Sequence, residues 1–390
     1  MIRLTKLFTN FFESEKAGGF ILIGCTIVSL LLANLPTSEF YVNFWETHFA
    51  GHSITHWIND GLMTIFFLLI GLELEREIYK GELSNIRNAL LPIFGALGGM
   101  LVPAGIFLLL NFGTPTQSGA GIPMATDIAF AIGILSLLGK RVPTSLKVFL
   151  TALAVIDDLG AILVIAIFYS KGIVFLNLGI ALGVLIILFV LNRLKIHFIL
   201  PYIIGGIVMW YFMLESGVHA TITGVLLAFA IPFGNGGPKT SSYRIQKFLH
   251  GPVSFFIMPL FALANTAIII EDGWQESLFS VASLGIFFGL VTGKPLGVFL
   301  FSYLSVKLRI CTLPADSKWK YILGAGMLAG IGFTMSIFIT LLAFTDAHHI
   351  VTGKISILLA SLVSAVLGLI FLKIGLAKRA ANTVDEVVAE

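Results

Sequence analysis

The chain has 390 residues, 57% of them hydrophobic and only 12% charged, with a mean hydropathy of +0.99. Soluble domains are about 45–50% apolar and about 25% charged, so the composition excludes an ordinary soluble domain and indicates a polytopic membrane protein. The net charge of +3 is too small to point to nucleic acid. The two cysteines, Cys25 and Cys311, lie too far apart for a disulfide framework or a metal-ligand spacing.

Apolar runs of spanning length recur from end to end. Roughly 20 residues at about 1.5 Å each cross the hydrocarbon core. By that measure the predicted spans are 18–35, 58–74, 89–112, 124–138, 146–169, 173–191, 198–215, 219–231, 253–270, 282–307, 321–344 and 350–374. The first run has no small-residue cleavage site after it, so it reads as a retained span and not a signal peptide. The runs are continuous and not alternating, so the expected fold is all-α, with about twelve transmembrane helices. A single integral membrane domain of residues 1–390 is expected, with about 18–374 embedded and 375–390 a cytoplasmic tail that is polar and frayed after Arg379. A flexible loop is expected at Phe233-Gly234-Asn235-Gly236-Gly237-Pro238.

The fourth and eleventh runs are interrupted. Gly119, Gly121 and Pro123 precede the fourth, which holds Asp127 and Gly133; the eleventh carries Gly324, Gly326, Gly330 and Gly332. Such residues free backbone groups that neighbours or a cavity must satisfy. Small residues also let helices pack closely. Two interrupted runs, each the middle of a group of three, favour a site built from discontinuous helices.

All but three of the 24 Lys and Arg fall on the side that twelve spans assign to both termini. Lys171 and Lys354 fall opposite, and Lys294 lies within a span. This asymmetry places the termini in the cytoplasm. It also sends the fourth and eleventh spans in opposite directions. Spans three to five and ten to twelve then form inverted repeats, with a site at their interface near the midplane. No residue-level similarity between the halves supports this; topology and glycine placement carry it.

The carboxylate and ammonium groups that stand out within the spans are Asp127, Asp157, Asp158 and Lys294. An ionised Asp at the bilayer centre costs about 2.5–3.5 kcal/mol on insertion scales. Neighbours on a helix point about 100° apart, so Asp157 and Asp158 cannot both face one partner. The pair can hold a small hard cation when ionised and protons when not. A buried ion pair with Lys294 would account for one carboxylate of the three. A water-filled path to the pair is therefore expected. Asp127 has two open roles, direct ion binding and compensation of half-helix ends, with compensation favoured. Glu73-Leu74-Glu75-Arg76-Glu77 closes the second span. Glu73, Arg76 and Glu77 share a helix face and form either a solvated end or a pH-sensing cluster. Asp60 reads as a structural acid at a helix start and His219 as a structural histidine. Asn265 and Thr266 suit interhelical bonds.

Seven stretches carry a resemblance. They are Ala125-Thr126-Asp127-Ile128-Ala129-Phe130-Ala131, Ala154-Val155-Ile156-Asp157-Asp158-Leu159-Gly160-Ala161-Ile162, Thr292-Gly293-Lys294-Pro295-Leu296-Gly297 and Gly330-Ile331-Gly332-Phe333-Thr334-Met335-Ser336-Ile337-Phe338. Trp57-Ile58-Asn59-Asp60, Gly71-Leu72-Glu73 and Ser216-Gly217-Val218-His219-Ala220-Thr221 complete the set. In the same order and over nearly the whole chain, they resemble the NhaA-type sodium/proton antiporters, a standing example of inverted repeats and broken helices.

The resemblance implies an antiporter of a bacterial inner membrane that exchanges internal Na⁺ or Li⁺ for external protons. More protons than cations would move per cycle. It implies Asp158 as principal cation and proton ligand and Asp157 as a second ligand paired with Lys294. It sets Thr126 and Asp127 where the two discontinuous helices cross, and links Glu73, Arg76 and Glu77 to pH activation. No cofactor is implied beyond the transported Na⁺, Li⁺ and H⁺; the partners are membrane lipid and no nucleic acid. Two departures stand out. Gln246-Lys247 occupy the place of a family Glu-His, with His250 nearby. The outer loop 36–57 is short and holds His48, His52 and His56, which leaves a hairpin-mediated homodimer open.

Two rivals belong to other classes. An organic-anion symporter would want a net positive site, against which three carboxylates and one lysine argue. An intramembrane aspartyl protease needs carboxylates that share a water, and this chain has no Gly-Xaa-Gly-Asp element.

Overall fold

The computed structural model describes residues 6–36, 38–170, 172–270, 273–314 and 316–388, with the backbone alone at 6–16, 82, 140 and 378–388. Lys171, assigned above to the outer side, lies outside the described residues. Nearly every described element is a helix. In chain order these are α1 (Lys6–Asn34), α2 (Ser38–Glu46), α3 (Ile54–Lys80), α4 (Ile86–Asn111), α5 (Ile128–Ser136), α6 (Thr144–Phe168), α7 (Phe175–Arg193), α8 (Leu200–Leu214), α9 (Ile222–Ala230) and α10 (Ser241–Asn265). The remainder are α11 (Trp274–Leu278), α12 (Val281–Lys307), α13 (Trp319–Ala329), α14 (Phe333–Ala343) and α15 (Ala347–Val388). Two strands of two residues each, β1 (His48–Phe49) and β2 (His52–Ser53), pair antiparallel in the outer loop.

Among the described residues, nine segments are long and apolar enough to cross a membrane, or ten if α13 and α14 count as one. The axis bends by 48° between α13 and α14. The other interrupted run begins as a 3₁₀ helix, Gln117–Met124, passes through non-helical 125–127, and resumes as α5. Helix boundaries differ from the hydropathy runs in three places. α10 begins at Ser241, a polar amphipathic stretch that hydropathy alone does not register. α9 covers nine residues only. α15 runs on to Val388, through the segment expected to fray, because Ala, Lys, Arg and Glu there are good helix formers.

The chain divides into two compact units. One comprises Met1–Phe20, Asn85–Ala161 and Glu271–Glu390, the other Ile21–Ser84 and Ile162–Ile270. In the first, α4 and α12 cross at Gly98 and Gly297. A Cβ on Gly98 would overlap the Gly297 carbonyl oxygen, and one on Gly297 the Gly98 carbonyl oxygen. Only glycine allows so close a backbone approach. Gly99, one residue on, faces the Lys294 stem. Further along α12 lies a wide π-type turn, Gly289–Gly293, directly before Lys294. Such turns displace one residue of register and are frequent at functional sites.

In the second unit α3 meets α9 by the same device. A Cβ on Gly224 would meet the Thr64 carbonyl oxygen, and one on Gly71 the Ala228 side chain. Asn59 and Asn265 exchange amide hydrogen bonds between α3 and α10, at 3.4 and 2.8 Å. In hydrocarbon a reciprocal amide pair leaves neither group unpaired, the interhelical role expected of Asn265. His219 Nε2 lies 3.2 Å from the Tyr169 carbonyl oxygen. Large apolar side chains such as Leu109, Phe175, Leu176 and Ile186 stay exposed on the helices, as lipid-facing surfaces do.

Candidate ion-binding site

The four intramembrane charges come together in the first unit. Asp157 and Asp158 lie midway along α6, and each is 0% exposed, as is Lys294. Water reaches neither aspartate in this conformation, so the path expected from the sequence does not extend to them here.

Asp127 is the N-cap of α5. Its Oδ1 accepts from the Phe130 N–H at 3.0 Å. Its Oδ2 accepts from the Thr334 N–H at 3.1 Å and from the Thr334 hydroxyl at 2.5 Å. Thr334 is in the first turn of α14, so one carboxylate serves two helix N-termini. The Asp127 N–H in turn donates to the Ile331 carbonyl at 2.7 Å. Helix N-termini carry partial positive charge and unpaired N–H groups. An acid is the residue type those two ends need.

The opposite ends find opposite partners. Lys294 Nζ donates to the Met124 carbonyl, the last residue of the 3₁₀ segment. The Ala329 carbonyl, which ends α13, lies 2.9 Å from the Thr126 hydroxyl. Ser336 Oγ donates to the Ile122 carbonyl at 2.7 Å. A cation at a helix C-terminus and an acid at N-termini are the favourable arrangement, so the two interruptions neutralise each other.

Lys294 Nζ also sits 2.7 Å from Asp157 Oδ2. The Thr126 hydroxyl lies 2.8 Å from the same oxygen. Its one proton is therefore shared between Asp157 and the Ala329 carbonyl. Asp157 Oδ1 has no hydrogen-bond partner among the described residues, and neither oxygen of Asp158 has one. Asp158 instead feels the charges of Asp157, Asp127 and Lys294. A buried carboxylate without a donor is strongly disfavoured while ionised. It is tolerable when protonated or when a cation supplies the missing charge. The three orphan oxygens are hard donors, the type that alkali and alkaline-earth cations take.

The sequence named Asp127, Thr126, Asp157, Asp158 and Lys294, and the structure places all five in this one unit. It adds Thr334, Ser336 and the Met124 carbonyl. Thr334 and Ser336 stood inside a quoted motif, but nothing in a linear chain paired Thr334 with Asp127, 207 positions away.

Over residues 9–372 the chain matches the family described as Na⁺/H⁺ antiporter 1. It is 66% identical to the Na(+)/H(+) antiporter NhaA 1 of Flavobacterium johnsoniae, over 95% of this chain and 98% of that one. The chain belongs to the NhaA family of Na⁺/H⁺ antiporters. It is also 61% identical to the NhaA of Cytophaga hutchinsonii, over 99% of this chain and all of that one. The sodium proton antiporter MjNhaP1 from Methanocaldococcus jannaschii shares the fold, with a TM-score of 0.53 at 16% identity over 94% of this chain and 95% of that one. NhaA-family membership places the chain among transporters and not enzymes.

In this NhaA-family chain Glu73, Arg76 and Glu77 lie in the second unit. Glu73 Oε1 is 3.2 Å from His250 Nε2. Arg76 Nε donates to Gln246 Oε1 at 2.7 Å, and its guanidinium lies 4.8 Å from the Tyr243 ring centroid. Glu77 is half-buried and turns toward Gly81. Glu75, which the helical-face argument passed over, is buried and accepts from the Ser242 hydroxyl at 3.2 Å. α3 therefore meets the start of α10 through both faces of its charged end. The stretch where this chain departs from the family pattern is in direct contact: Gln246 holds Arg76 with a neutral amide.

Proposed function

We propose that this chain is an electrogenic, pH-regulated antiporter that extrudes Na⁺, and Li⁺, in exchange for external protons. Alternating access at Asp157 and Asp158 carries the exchange. One observation supports this most directly: Asp158 is fully buried, and among the described residues neither of its oxygens has a hydrogen-bond donor. Such a carboxylate has two stable conditions, protonated or cation-bound. Because the two exclude each other, each turn of the cycle must trade one for the other. Lys294 keeps Asp157 anionic until a cation at Asp158 competes for it. Thr126 and Asp127 hold the interrupted helices in place around the pair.

The finer architecture belongs to the same reading. α8 and α9, shorter than the other spans, bring the ten to twelve. Two discontinuous helices, the fourth and eleventh spans, cross near the midplane of inverted repeats. The chain forms one transport domain, both termini face the cytoplasm, and the membrane is the bacterial inner membrane. Glu73, Arg76 and Glu77 tune activity with pH at the cytoplasmic end. With more than one proton admitted per cation, net positive charge moves inward. An inside-negative potential favours that by about 2.3 kcal/mol per charge per 100 mV. Membrane lipid surrounds the transporter, and a homodimer is its proposed assembly.

The test is Na⁺-induced proton movement in proteoliposomes across a pH series. Protons and Na⁺ compete, so lowering the pH must raise the apparent KM for Na⁺. Where a single proton competes, the rise approaches about tenfold per pH unit. A KM indifferent to pH would exclude competition for one site.

A further inference from the structure

We propose that Asp346, just before α15, and His348 and His349, in its first turn, form a binding site for a divalent transition-metal ion of the zinc, nickel or copper class. One ligand atom from each residue lies within 4.8 Å of the other two. A metal with bonds of about 2.0–2.2 Å needs its ligands about 3.3 Å apart. Rotation of exposed side chains covers that difference. Two imidazoles and one carboxylate suit zinc, nickel and copper. The Asp157–Asp158 pair, all oxygen, suits a hard cation. The two sites therefore select different ions, and this one does not depend on what the buried pair carries.

The local structure prepares the ligands. Asp346 Oδ1 accepts from the His349 N–H at 3.1 Å, which orients the carboxylate. The His349 ring is half-buried, 5.8 Å from the Phe344 ring. The His348 ring follows at 5.9 Å. Asp346 and His348 are exposed, so an ion reaches them from water. A helix cap alone would need Asp346 and neither imidazole.

Isothermal titration of the purified full-length protein with Zn²⁺ decides it. The expected result is one saturable site in the wild type. In the variant His348→Ala/His349→Ala, affinity should fall by at least about tenfold, with Na⁺-driven proton movement in metal-free buffer retained. A second variant, His48→Ala/His52→Ala/His56→Ala, removes the other histidine group, where the His52 and His56 rings stack at 4.2 Å. It should bind Zn²⁺ as the wild type does. The proposal is overturned if the wild type binds no Zn²⁺. Unchanged binding in the first variant overturns it too, as does loss of binding in the second.

Discussion

Lys294 and Asp157 form an ion pair at 2.7 Å in which neither side chain meets water. Asp158, next to Asp157 on α6, is a carboxylate with no hydrogen-bond donor among the described residues. The pair and the orphan respond to substitution in opposite ways.

Breaking the pair leaves a buried charge unpaired. Lys294→Met should destabilise the protein by about 3–5 kcal/mol, read as a lowered Tm in detergent. The double variant Asp157→Asn/Lys294→Met removes both charges and should recover most of that loss. If the double variant is no more stable than Lys294→Met, the ion pair is not what the lysine contributes.

Asp158→Asn removes an unsatisfied acid without altering volume. Its Tm should match or exceed that of the wild type, because an uncompensated buried carboxylate costs stability. Na⁺-dependent proton movement in everted vesicles should fall to background. Activity within about tenfold of wild type would remove Asp158 from the transport site.

Asp127 separates positioning from ion binding. Asp127→Ala deletes the caps of α5 and α14, at about 0.5–2 kcal/mol for each. Asp127→Asn keeps an acceptor oxygen for one helix end and should recover about half of that loss in a denaturant titration. A carboxylate that serves only as a cap should show transport tracking stability across the two variants. Transport lost equally in both, with stability recovered in Asn, would mark Asp127 as a ligand.

Gly98 is the tightest crossing of α4 and α12, and Lys294 stands within a turn of it on α12. Gly98→Val should destabilise by about 1–3 kcal/mol through overpacking and displace the lysine from Asp157. Gly105, on the same helix, where a Cβ would meet no atom of the described residues within 4 Å, provides the control. Gly105→Ala should leave both Tm and exchange near wild type.

Much of the site was legible because the bilayer enforces a simple accounting. Charges inside apolar runs are rare, so Asp127, Asp157, Asp158 and Lys294 stood out by depth alone. The interruptions were legible for a similar reason, since Gly119, Gly121 and Pro123 disfavour a regular α-helix, and that stretch is 3₁₀. The pairing across the site was not legible. Helix-end dipoles are properties of three-dimensional ends, and no linear rule says that Thr334 and Phe130 meet the same carboxylate. The charged end of α3 was only half legible. Counting helix faces selected Glu73, Arg76 and Glu77, but α10 begins with a polar stretch of 12 residues before the hydropathy run and reaches Glu75 on the other face through Ser242.

Hydrophobicity and the placement of Lys and Arg thus determined a membrane-embedded helical bundle, its buried acids and its interruptions, because transfer into lipid is scored residue by residue along the chain. Only the tertiary structure decided which carboxylate is held by Lys294, which is shared by two helix ends and which is left without a donor, because those assignments depend on distances between segments far apart in sequence.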